Sequence, residues 1–93
     1  MEQMKINPEA IVSVDYENQD LPTSVQQFKP PVFREGNAFC VLLGPDPQSG
    51  IFGCGRSVEE ALRDWDNHLA DEIDNPRENN ETTHYVMSHL NTF

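Results

Sequence analysis

Positive charge is what this chain has least of. Its 93 residues carry six Lys and Arg against sixteen Asp and Glu, a formal net charge of -10. Such a surface repels polyanions, so we expect no direct binding to nucleic acid or to an anionic membrane, and a basic partner instead. Long apolar runs are missing as well. Nothing approaches the ~20 residues of a membrane span, and Met1-Glu2-Gln3-Met4-Lys5 lacks the apolar core of a secretory signal, so the expected setting is cytoplasmic. Cysteine is limited to Cys40 and Cys54, each inside an apolar run. No Cys-x2-4-Cys pair spells out a zinc module, and two small buried thiols in a reducing compartment are expected rather than a disulfide. Gly53-Cys54-Gly55-Arg56-Ser57 precedes a helix but lacks the Lys and the longer Gly-rich run of a phosphate loop.

What the chain does have is one segment that reads as a helix at every level. Ser57 is a preferred N-cap and Glu60, three residues on, completes a capping box. Val58, Ala61, Leu62, Trp65, Leu69 and Ile73 recur at spacings of three and four, forming one apolar stripe that must face a core. Carboxylates at Glu59 and Glu60 suit the helix dipole, Glu59 and Arg63 are spaced to pair, and Pro76 forbids continuation. The spacing predicts a helix over 58–73. Trp65, in the middle of the stripe, is expected to anchor the core.

Along the rest of the chain, residues 1–8 are polar, without apolar period, and expected to fray. Alternation over 10–16 predicts a half-buried or edge strand, and 23–28 reads equally as a helical turn or another edge strand. Pro30-Pro31 opens a strand at 32–34, Glu35-Gly36-Asn37 is turn chemistry, and 38–43 is apolar throughout, as a central strand would be. A Gly and Pro loop over 44–50 returns the chain to a short strand at 51–54. After the helix, 75–81 is a polar linker. Thr82-Thr83-His84-Tyr85-Val86-Met87 has the content of a closing strand, which 88–93 either finishes or follows with a helical turn. The expected fold is α+β in a single domain: a small antiparallel sheet of three to four strands with one main helix packed on it, in the order β-β-β-α-β. An N-terminal extension (1–29), a core (30–74) and an acidic linker with closing strand or tail (75–93) divide the chain.

Ala38-Phe39-Cys40-Val41-Leu42-Leu43, then Pro45-Asp46-Pro47 with Gly50, then Gly53-Cys54-Gly55-Arg56-Ser57-Val58-Glu59-Glu60-Ala61-Leu62 resembles the core of the HicB-like family. The resemblance spans about residues 32–73. It implies an abbreviated ribonuclease H-like fold, in which antitoxins of the family mask a small basic RNA-cleaving toxin while a separate C-terminal segment binds DNA. The 44–50 loop is rearranged here, residues 1–29 have no counterpart, and the tail after 73 is too short and too acidic for the DNA-binding segment.

Acidity is concentrated. Residues 59–81 hold nine acids and two bases, a charge of -7, leaving -3 for everything else. At 100° per residue Glu60, Asp64 and Asp71 form one row, with the last two about 10 Å apart, and Glu59, Asp66 and Asp74 flank them. Opposite a basic groove such a row imitates phosphates and steers association. The expected binding surface is therefore Glu59, Glu60, Asp64, Asp66, Asp71 and Asp74, with Asp46 in the adjoining loop, and no catalytic residue, metal or cofactor is expected. The chain reads as a non-enzymatic inhibitor that occludes a basic nucleic-acid-handling protein or nucleoprotein complex, either as an antitoxin-like mask or as a phage-type anti-CRISPR inhibitor. Two other classes compete: a metal-dependent nuclease using paired carboxylates such as Asp64 with Asp71 or Asp46 with Glu35, and a homodimeric scaffold pairing through residues 10–16.

Overall fold

In the computed structural model, which describes residues 2–90, the apolar residues of four strands meet a long helix on one side of an antiparallel sheet. The elements in order are β1 (Ile11–Val12), α1 (Thr23–Phe28), β2 (Val32–Glu35), β3 (Ala38–Leu43), β4 (Ile51–Gly55), α2 (Val58–Asp74) and α3 (Glu81–Leu90). The sheet order is β1-β2-β3-β4 and every neighbouring pair is antiparallel. The class is α+β, as expected, but a helix stands where the closing strand was expected. No helix among the described residues is long and apolar enough to cross a membrane.

The β2–β3 hairpin closes through Gly36-Asn37, with Glu35 opposite Ala38. Gly36 has φ +61, the backbone that a primed hairpin turn needs at its first central residue. In α2, Ser57 accepts from the Glu60 N–H at 3.1 Å. The reciprocal bond is displaced by one residue: Glu60 takes the N–H of Arg56, at 2.9 Å. The stripe faces the core as predicted, with Ala61, Leu62, Trp65 and Leu69 at 0–2% exposure and Val58 and Ile73 half-buried at its ends. Trp65 also donates its indole N–H to the Ile51 carbonyl, 3.0 Å away.

Two glycines let α2 lie directly on β4. A Cβ on Gly53 would sit 2.3 Å from the backbone nitrogen of Trp65, and one on Gly55 would sit 2.6 Å from that of Ala61. The helix backbone occupies the space those side chains would need, which holds α2 in one place on the strand.

Three local expectations are corrected, and one left open between two readings is settled. The strand over 10–16 shrinks to Ile11–Val12, because the next partners on the β2 side are Pro31 and Pro30, which have no N–H to give. Residues 23–28 settle as a helix, ended by Lys29 in the left-handed region ahead of Pro30.

Residues 3–10 are not frayed but run as a strap across the far face of the sheet. Gln3 donates to the Leu42 carbonyl at 3.0 Å and accepts from the Gly44 N–H at 3.0 Å, and the Met4 N–H reaches the Gly44 carbonyl at 2.9 Å. Residues 82–87 form part of a ten-residue helix rather than a strand. Asn80 starts it by accepting from the Thr83 N–H, and Thr82, Thr83 and Val86 then fall on the buried side at helical spacing. Strand propensity needs a sheet edge to join, and the β4 edge is already covered by α2. Residue 1 and residues 91–93, which complete the expected frayed start and closing tail, lie outside the described residues.

The two cysteines are joined. Cys40 and Cys54 stand directly opposite each other on β3 and β4, with Cα atoms 4.1 Å apart, and form a disulfide instead of two free thiols. The Cys54 N–H points away from β3, toward α2. The pair is therefore a non-hydrogen-bonded one, where facing side chains come closest.

Candidate partner-binding surface

The outward edge of β4 exposes backbone groups that another strand would pair with. Side chains of α2 and its linker take them instead. Asp64 accepts from the Cys54 N–H at 2.9 Å, and His68 Nδ1 meets the Phe52 carbonyl. A carbonyl only accepts, so Nδ1 is the donor in this bond. Its Nε2 lies 3.8 Å from Asp64 Oδ1.

Just beyond, Arg77 forks onto the carbonyls of Gln48 (2.6 Å), Ser49 (3.1 Å) and Gly50 (3.2 Å) and pairs with Glu72 at 2.7 Å. Glu72 in turn accepts from the Arg77 backbone N–H and from the Thr83 hydroxyl. Burial pushes the Glu72 carboxyl up, but these three donors and the guanidinium charge outweigh it and hold it below its ordinary value. This clasp fastens the 44–50 loop and α3 to the end of α2.

The expected acidic surface divides accordingly. Glu60 and Asp64 hold backbone N–H groups, and Asp66 accepts from the Ser24 hydroxyl, tying α2 to α1. Asp46 accepts from the Ser49 N–H at 2.7 Å, the Gln48 N–H at 2.8 Å and the Ser49 hydroxyl at 3.2 Å. The Ser49 backbone bond is the main reason its carboxyl lies below the ordinary range.

Glu59, Asp71 and Asp74 are exposed and, among the described residues, have no side-chain hydrogen bond or ion pair, and the spaced Glu59–Arg63 pair does not form. The row read from helical spacing is thus real as a face but mixed in role: Glu60 and Asp64 build the fold, while Glu59, Asp71 and Asp74 face solvent. Asp46 belongs to the same region, because Arg77 ties its loop to α2. Sequence reasoning missed Arg77 and Glu72. The available signal was a single base in the 71–81 run of acids, placed one residue after Pro76.

Among the described residues, no three His, Cys, Asp or Glu side chains gather into a group that could hold a metal ion. Asp64, one member of the paired carboxylates considered for nuclease chemistry, is committed to the β4 edge. The other pair is divided as well, since Asp46 caps its own loop while Glu35 lies beside the Cys40 sulfur. No family model, curated protein or solved structure matches this chain.

Proposed function

We propose that the protein is a non-enzymatic inhibitor that uses the outer face of α2 and the adjoining 44–50 loop to cover a basic, nucleic-acid-handling surface on another protein. One observation carries this reading: Glu59, Asp71 and Asp74 are displayed unpaired on a 17-residue helix whose position is fixed by Trp65 and by close contact with Gly53 and Gly55. Glu59 and Asp74 are about 22 Å apart along the axis, the span of several phosphates, and Arg63 is the only base on that face. A helix held in one place needs no backbone ordering on binding, and the carboxylates it displays steer a basic partner toward it. Membership in the HicB-like family is part of this proposal, as are its two settings, an antitoxin-like mask or a phage-type anti-CRISPR inhibitor in the cytoplasm.

The test uses variants that spare the structural carboxylates. Glu59→Lys, Asp71→Lys and Asp74→Lys combined should leave the circular dichroism and melting of the protein unchanged. The triple variant should also fail to retain a basic protein that the natural chain captures at low salt and that nucleic acid displaces. Equal capture by the triple variant removes the acidic face from the function.

A second reading has its own observation. Ile11 on the short edge strand β1 is 49% exposed, the one large apolar side chain so displayed among the described residues. Pairing of two copies through that edge would give a dimer by light scattering, and Ile11→Lys would return it to a monomer.

A further inference from the structure

The face of the sheet turned away from α2 is built from Phe33, Cys40 and Leu42, and the strap lays Met4, Ile6 and Ala10 on it beside Phe52 and Cys54. The disulfide therefore lies where the strap docks. The two sulfurs are not equivalent, since Cys40 is 3% exposed and Cys54 is half-buried, so an incoming thiol reaches Cys54 first. Cys40 Sγ also lies 3.7 Å from Glu35 Oε2. A disulfide sulfur has no proton to offer that carboxylate, whereas a thiol does.

We propose that the Cys40–Cys54 bond is a thiol–disulfide exchange site for a dithiol reductant, and that its state sets whether the N-terminal strap is docked. A thiolate of the reductant attacks Cys54 Sγ, the S–S bond breaks, and Cys40 leaves as a thiolate. That thiolate takes a proton from solvent and donates its S–H to Glu35. The second thiol of the reductant then attacks the mixed disulfide, forming the reductant's own disulfide and releasing Cys54 as a thiolate, which protonates in turn. Two electrons pass from the dithiol to the protein, and both cysteines end as thiols.

The link to the strap is steric. Bonded sulfurs lie about 2.05 Å apart, whereas unbonded ones need roughly 3.5–4 Å. The β3–β4 ladder and the Asp64 bond to Cys54 N–H fix the strands. The added separation is then taken up by the side chains, within the layer that Met4 and Ile6 share with Cys40 and Cys54. Reduction thus undocks the strap, and by reciprocity a docked strap favours the disulfide.

Hydrogen exchange on the full chain tests this, comparing the oxidised protein with protein held in excess dithiothreitol under native conditions. The Met4 amide, bonded to Gly44 in the oxidised form, should exchange at least tenfold faster after reduction and recover on reoxidation, while amides within α2 keep their protection. The combined variant Met4→Ala and Ile6→Ala, titrated against the same reductant, should shift its ratio of disulfide to dithiol protein toward the dithiol by several-fold. Equal Met4 exchange in the two states overturns the proposal. So does a disulfide that yields to the reductant only when α2 unfolds with it.

Discussion

The two faces of the sheet are held by different means. On one face Val32, Val41 and Ile51 are at 0–2% exposure under α2, whose Trp65 is fully buried in the same layer, with α1 and α3 filling the flanks. On the other, three buried residues lie beneath an eight-residue strap, with a disulfide running through the same layer. The helical face draws its stability from area removed from water, which is non-directional and shared over many side chains. The strapped face has too little apolar cover for that and relies on one covalent bond and a few backbone hydrogen bonds. The first is the scaffold; the second is where the molecule is open to change.

The largest effect should come from breaking the helical face. Trp65→Ala removes the biggest side chain of the core and leaves the Ile51 carbonyl without its indole donor. A loss of about 3–5 kcal/mol is expected by urea denaturation, a large fraction of the roughly 5–15 kcal/mol that holds a single domain together. A smaller effect is expected on the strapped face. Replacing both Cys40 and Cys54 with Ala opens a loop of 14-residue separation and should cost about 3 kcal/mol, with the far-ultraviolet dichroism of α2 retained below the transition. If the double variant costs more than Trp65→Ala, the ranking of the two faces is wrong.

Which face the sequence reveals follows from the same difference. The helix α2 is legible because its cap at Ser57 and its stripe from Val58 to Ile73 are local, and local patterns survive without knowledge of the partner. The strap is not, since Gln3, Met4 and Ile6 have no period and conform to a surface that exists only once β3 and β4 have paired. Misreading 82–87 as a strand came from weighing Thr, Tyr and Val over the Asn80 cap and the spacing of Thr82, Val86 and Leu90. The disulfide was nearer to hand: strands over 38–43 and 51–54, folded about the middle of the 44–50 loop, bring Cys40 opposite Cys54, but only if register is followed through. On the acidic face, periodicity correctly identifies the side on which Glu60, Asp64 and Asp71 lie. It says nothing of which carboxylates meet an N–H from another element, so Glu60 and Asp64 looked as free as Asp71.

The clasp at the end of α2 sharpens the contrast through pH. The folded Glu72 carboxyl is held below its ordinary 4.5, so the stability it contributes is fully present above that value. It is lost as pH falls through the lower, folded value. The natural protein should therefore lose stability below about pH 4.5 relative to Glu72→Gln, whose curve lacks this part. At pH 7 the same variant should be less stable by about 1 kcal/mol, a modest figure because the Arg77 side chain is 37% exposed and screened by solvent. Parallel curves from pH 3 to 7 would show that the clasp is not what fastens the loop.

The smallest effect has the opposite sign. Thr82, the second residue of α3, is 1% exposed, and its hydroxyl has no hydrogen-bond partner among the described residues, although it is pressed toward Gly44. A buried hydroxyl loses its water and here regains nothing, so the side chain's shape is useful while its oxygen is a cost. Thr82→Val keeps the branched shape and removes the oxygen, and should raise the melting temperature by the equivalent of roughly 0.5–1 kcal/mol. Thr83→Val, one residue along and equally buried, should instead destabilise, because that hydroxyl donates to Glu72 at 3.0 Å. The pair separates packing from hydrogen bonding within one turn of helix. If both substitutions stabilise, the Glu72 clasp contributes nothing through Thr83, and α3 is held to α2 by apolar contact alone.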